Sequence, residues 1–142
     1  MENLTAKLYW AARIIASLIL LQTLYFKFSA SEESVYIFTT VGMEPWGRIT
    51  IGILELIAAA LLLFNSTAWL GGLGGLGLMT GAIGMHVTLL GISVKGDGGY
   101  LFTLAVVVSV CSAVVILKNK ERLLKMLFAA AKTVGIASRL TQ

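Results

Sequence analysis

The sequence predicts an all-α integral membrane protein: a four-transmembrane-helix antiparallel bundle with a short outer amphipathic helix and a C-terminal amphipathic helix. Three observations predict it. Of 142 residues, 58% are apolar and only 13% charged. Four apolar runs, about 8–28, 46–64, 67–92 and 100–117, come close to the roughly 20 residues that a spanning helix needs. The tail at 118–142 alternates leucines with lysines and arginines instead. Residues 1–117 therefore read as one membrane domain and 118–142 as a basic cytoplasmic appendage.

The first span opens after Lys7 and is followed by Ser29-Ala30-Ser31, a pattern with some likeness to a signal peptide. Its length and the interruption by Arg13 argue against cleavage. The first connection carries Glu32, Glu33 and Glu44, whereas Lys118, Lys120, Arg122, Lys125, Lys132 and Arg139 follow the fourth span. That bias points both termini to the cytoplasm. The net charge of +4 follows from it and from attraction to anionic lipid, and calls for no nucleic-acid partner.

The first connection predicts a short helix on the outer face. Ser29 and Glu32 have capping-box spacing, Val35, Phe38 and Val41 recur at helical intervals, and Gly42 then Pro45 stop it. Asn65-Ser66 turns the second span into the third. The third span carries a small-residue seam, Gly74, Gly77, Gly81, Gly84, Thr88 and Gly91. Such seams admit close helix approach in lipid. Tight packing within the chain is the first expectation for it, and a homodimer or a heteromeric membrane complex the second. Gly96 to Gly99 reads as a flexible outer turn. The tail predicts an amphipathic helix, with Leu123, Leu124, Leu127, Phe128 and Ala131 on one side, suited to a lipid surface.

The chemistry lies in the polar residues at membrane depth. Glu55 is the lone charge of an apolar run, at a cost of about 2.5–3.5 kcal/mol near the bilayer centre. Counting about 1.5 Å per residue from the outer ends puts Gln22, Glu55 and His86 in one layer. Lys27 and Arg48 lie nearer the outer surface, and either can pair with Glu55. Arg13, Ser17, Leu20, Leu24 and Lys27 share one face of the first span, with Gln22 pointing away from it. His86 falls roughly opposite the glycine seam. Arg13 either snorkels to the cytoplasmic interface or serves the bundle interior.

These groups admit two readings: ion pairs that fix helix register, or an outward-opening polar pocket. In a pocket, Glu55 and His86 could exchange a proton or bond a quinone head group. The candidate cofactor-binding residues are Glu55, His86, Lys27, Arg48, Arg13 and Gln22. No catalytic residue is assigned. One histidine cannot supply both axial ligands of a transmembrane haem, and no metal-ligand spacing, nucleophile elbow or phosphate loop occurs. The single cysteine, Cys111, argues against a dithiol relay and reads as a core residue.

Arg13, Lys27, Gly42-x-x-Pro45, Gly52-x-x-Glu55, the Asn65-Ser66-Thr67 turn and a glycine-rich third span ending at His86 follow in order. In this the chain resembles the DoxX/DoxD-like family of small four-helix bacterial membrane proteins, over about residues 9–117. Leu24 stands where that family often has glycine. The resemblance implies a four-helix bundle in the bacterial inner membrane, with Arg13, Lys27 and Glu55 as its polar signature. It also implies a link to quinone-dependent redox or respiratory chemistry. A non-catalytic assembly subunit is the alternative, and an ion path through Glu55 a third reading, lacking further carboxylates along the way.

Overall fold

The computed structural model describes residues 2–140, and most of them are helical, with no strand among the described residues. Helix α1 runs Glu2–Phe28, α2 Glu32–Thr40, α3 Trp46–Leu63 and α4 Ala68–Met85. A π-helical turn, His86–Leu90, prolongs α4; α5 (Tyr100–Lys118) and α6 (Lys120–Leu140) complete the chain. The expected spans become α1, α3, α4 with its π turn, and α5, each long and apolar enough to cross a membrane. The chain is thus a multi-pass membrane bundle. Residues 141–142 of the predicted tail, and the side chain of Arg139, lie outside the described residues.

The four long helices pack in a square, α1 on α3 and α5, and α4 on α3 and α5. Small residues face inward. Ala16, Ala59 and Ala68 are fully buried, while Leu18, Tyr25, Ile57 and Val110 stand exposed. This inversion suits lipid, where association depends on close packing rather than on hiding large apolar side chains from water. On α1 the buried stripe is Ala12, Arg13, Ala16, Ser17, Leu20 and Leu24, the face that helical spacing predicts. Cys111 packs half-buried against this core.

The glycines that bring helices together are not those of the predicted seam. A Cβ on Gly71 would lie 2.5 Å from the Leu62 backbone nitrogen, and one on Gly75 would lie 2.7 Å from Ser112 Oγ. Gly74 merely reaches van der Waals contact with Ala58, and a Cβ on Gly77, Gly81 or Gly84 would meet nothing within 4 Å. The expectation that the seam packs within the chain is therefore corrected. The packed face of α4 runs through Ala68, Gly71, Gly72, Gly75 and Met79, turned away from the seam.

Two loops also differ from expectation. The cap of α2 is Ser31, whose hydroxyl accepts the Ser34 N–H, rather than Ser29. Ser29 is still engaged by α1, its N–H donating to the Tyr25 carbonyl. Gly42, at φ +72°, follows the last turn of α2 as predicted. The Gly96–Gly99 segment is an organised start for α5 rather than a loose turn. Asp97 Oδ1 accepts the N–H groups of Val94 (2.8 Å) and Gly99 (2.9 Å), and Oδ2 accepts that of Leu101 (3.0 Å). Burial favours the neutral acid at Asp97, but the N–H groups of Leu101, Gly99 and Val94 and the Ser93 hydroxyl outweigh it. Its pKa falls below the ordinary carboxylate value.

Helix α6 leaves α5 at Asn119, whose side-chain amide donates to the Tyr9 hydroxyl (3.1 Å). Arg122 reaches the Asn65 and Ser66 carbonyls. Beyond that contact Leu124, Leu127, Phe128 and Val134 are exposed, so α6 presents an apolar face suited to a membrane surface.

Candidate functional site

The square has two ends. One holds the start of α1, the α3–α4 turn and the α5–α6 junction; the other holds α2, the α2–α3 connection and the loop before α5. Buried charge occurs at both ends.

At the terminal end Arg13 is fully buried. Its Nε donates to the Leu62 carbonyl (2.6 Å), one terminal nitrogen donates to the Leu63 carbonyl (2.7 Å), and the other donates to Asn65 Oδ1. The two carbonyls belong to the last turn of α3, where a helix leaves carbonyls unpaired and partial negative charge gathers, and Asn65 stands in the turn that follows. The guanidinium also lies 4.1 Å from the Trp10 ring centroid and 5.1 Å from that of Tyr9. Of its two readings, Arg13 fulfils the interior one: it joins α1 to the end of α3. Ser17 repeats the link one turn along, donating to the Ala59 carbonyl.

At the α2 end Glu55 is 2% exposed. Lys27 is its ion-pair partner, with Nζ 2.9 Å from Oε2. Arg48 instead forks onto Glu44, at 2.8–3.0 Å, and donates to the Lys27 carbonyl. Arg48 therefore caps the end of α1 rather than neutralising Glu55. Gly52 lets α1 and α3 meet here: a Cβ on it would lie 3.1 Å from the Phe28 ring.

Thr23, absent from the sequence-derived set, stands one turn before Lys27 and donates to Glu55 Oε2 at 3.0 Å. Its hydroxyl also lies 2.9 Å from the Leu20 carbonyl, the ordinary habit of a helical threonine. The spacing of Thr23 and Lys27 on one face was the available signal. Both Glu55 contacts fall on Oε2. Among the described residues no donor reaches Oε1.

His86 is 5% exposed and opens the π turn. Its Nδ1 lies 2.9 Å from the Gly91 carbonyl, and its ring meets Phe102 edge-on with centroids 5.7 Å apart. A carbonyl oxygen can only accept, so Nδ1 carries the proton. Nε2 has no partner among the described residues.

Between these groups lies a cavity of about 310 Å³. Every helix except α6 contributes to its wall. Glu55, Lys27, Thr23 and His86 supply polar groups, joined by Ser31, Glu33, Ser34 and Tyr100 near the α2 rim, and the remainder of the lining is largely apolar. Such a volume is at the small end of ligand sites, about 300–1,000 Å³, yet about twice that of an apolar cavity that accepts benzene. Gly77 and Gly81 line it together with His86. The cavity thus wraps around more than one side of α4, and the seam and the histidine that the helical wheel sets apart share it.

Lys95 ties the loop before α5 to α2 over this end, pairing with Glu32 and standing 5.7 Å from the Tyr36 ring. The hydrogen bond and charge of Lys95 hold the Glu32 carboxyl below its ordinary pKa.

Of the six sequence-derived candidates, the fold brings Glu55, Lys27 and His86 to one cavity. Arg48 flanks it through the Lys27 carbonyl. Gln22 turns away to the Tyr100 hydroxyl at 3.1 Å, on an exposed face, and Arg13 sits at the other end of the bundle. No group of three metal-ligating side chains occurs among the described residues. Comparison with protein-family models, curated proteins and solved structures finds no match.

Proposed function

We propose that the chain is a DoxX/DoxD-like protein of the bacterial inner membrane, a redox- or respiration-linked subunit that holds a quinone or lipid-like amphiphile in the α2-end cavity. One observation carries this reading. Glu55 is almost wholly buried, engages Lys27 and Thr23 through a single oxygen, and leaves the other free beside a largely apolar cavity. Ionisable groups retained at membrane depth default to function. Lys27 supplies a donor for a head-group oxygen, and the apolar lining suits an isoprenoid or acyl chain.

The basic tail and Lys7 favour cytoplasmic termini, which turns the cavity toward the outer leaflet. Extraction of the purified protein tests the proposal. Wild type should carry a stoichiometric quinone or lipid, and Glu55→Gln should lose it while keeping its helical content. Wild type free of any amphiphile would overturn it.

A second reading, a non-catalytic assembly subunit, is favoured by the open stripe at Gly77, Gly81 and Gly84. Gly84 is outside the cavity lining, so Gly84→Leu separates the two. Loss of a homodimer or heteromeric complex with the amphiphile retained would support assembly through that face.

A further inference from the structure

Helices α3 and α4 touch toward the Arg13 end of the bundle and part company beside the cavity. A Cβ on Gly71 would lie 2.5 Å from the Leu62 backbone nitrogen, and one on Gly74 would lie 3.4 Å from the Ala58 Cβ. The same antiparallel register continues to Glu55 opposite Gly77 and Ile51 opposite Gly81, and all four residues line the cavity. Here the glycines leave a slot. A Cβ on Gly77 or Gly81 would meet nothing within 4 Å, and both residues are exposed well inside the Ala68–Leu90 span. Other sides of the cavity are covered. Helix α2 lies over the end with Ser34 and Phe38 buried, and the Gln22–Tyr100 hydrogen bond bridges α1 to α5.

We infer that the chain of the bound amphiphile leaves the cavity through this α3–α4 slot, so that the ligand enters sideways from the bilayer rather than from water. A cavity that accepts benzene measures about 150 Å³, so one of about 310 Å³ holds a polar head and the first carbons of a chain. The rest of an isoprenoid or acyl chain has to lie elsewhere, and the slot opens onto lipid at the same depth. Glycine suits such a passage, because without a Cβ the helix surface is recessed and a ligand can lie against the backbone. The head end is set by a separate feature. Glu55 is 2% exposed and stands at the inner end of the slot, with Oε1 meeting no donor among the described residues. The ligand class is a polar head on a long flexible chain. The inference rests on the proposed amphiphile site and adds the orientation of its ligand and the route of entry.

Photolabelling of the full-length protein in lipid nanodiscs tests it. Two probes each carry a diazirine midway along the chain: decylubiquinone and a palmitoyl phosphatidylethanolamine. Labelled positions are mapped by peptide mass spectrometry, and site-dependent label is defined as that lost in Glu55→Gln. It should fall on residues 51–55 and 77–81, and the probe that delivers it distinguishes a quinone from a lipid. Gly81→Leu plugs the slot away from Glu55 and should reduce this label about tenfold or more, as an added side chain in an apolar site does, with the unfolding midpoint unchanged. Site-dependent label on α2 or on the α1–α5 flank, or label that Gly81→Leu leaves intact, would overturn the slot and leave the amphiphile site standing. Absence of site-dependent label from both probes would remove both.

Discussion

The two ends of the bundle solve the same problem, a charge buried between α1 and α3, in opposite ways. Arg13 is surrounded: three nitrogens meet three acceptors and two aromatic rings cover the guanidinium. Two of its partners are helix-end carbonyls that needed a donor in any case, so burying the cation also completes α3. The Lys27–Glu55 pair is left incomplete. One carboxylate oxygen holds both protein contacts and the other borders a cavity. A saturated charge has nothing left with which to bind a ligand, whereas a half-used one does. Burial of an ionisable residue in a membrane helix is therefore a poor guide to function by itself; the count of unused lone pairs separates the two ends.

Removing one partner from the half-used pair should produce the largest effect. Lys27→Met leaves Glu55 buried beside no cation, and a loss of about 3–5 kcal/mol is expected in detergent unfolding. The double variant Lys27→Met with Glu55→Leu should recover most of that stability and still fail to hold an amphiphile. A single variant no less stable than the double would show that the pair is not the buried ion pair described.

Arg13→Met comes next. It should cost about 3 kcal/mol, since bonds to a charged group contribute about 1.5–3 kcal/mol each and water recovers part of the carbonyl hydration at the turn. Ligand retention per folded molecule should stay at the wild-type level. A selective loss of ligand would collapse the distinction between the ends.

The glycines sharpen the comparison further. Gly71→Ala presses a methyl against the α3 backbone and should destabilise by about 1–3 kcal/mol. Gly77→Leu has open space, so stability should move by less than about 0.5 kcal/mol while amphiphile retention drops. Unfolding and lipid extraction on the same two preparations read both.

The smallest effect belongs to Asp97. The hydrogen bonds that lower its folded pKa stabilise the fold above the unfolded value of about 3.9, and this contribution disappears as pH falls through the lower folded value. Asp97→Ala should cost about 1 kcal/mol at neutral pH. Its stability should converge with that of wild type in acid. A gap that persists at pH 2 would assign the effect to something other than the carboxylate.

Much of this was legible in the chain. The four spans needed only length and hydropathy, and the buried stripe of α1 followed from helical spacing. Glu55 and Lys27 were recognisable because a charge in an apolar run needs a partner within one or two turns. Thr23 was harder, because a helical threonine usually bonds its own backbone, as this one also does. Arg13 was ambiguous because two of its acceptors are the carbonyls of a helix end, and main-chain acceptors leave no mark in a sequence. Its third acceptor, the Asn65 side chain, reads in the sequence as a turn residue. The seam misled because spacing reports which glycines share a face, not which face meets another helix.

The sequence by itself determined that this is a four-span bundle and that its mid-membrane charges require company, since both follow from local length, periodicity and the cost of burying charge. The tertiary structure alone decided which charges are saturated and which border a cavity. It also decided that Arg48 serves Glu44, that Gln22 turns outward, and that Gly77 and Gly81 share a wall with His86. Those outcomes depend on the rotation of each helix about its axis and on the packing of α2 and the π turn against the bundle. Van der Waals contact among neighbours sets those angles, and no single helix encodes them.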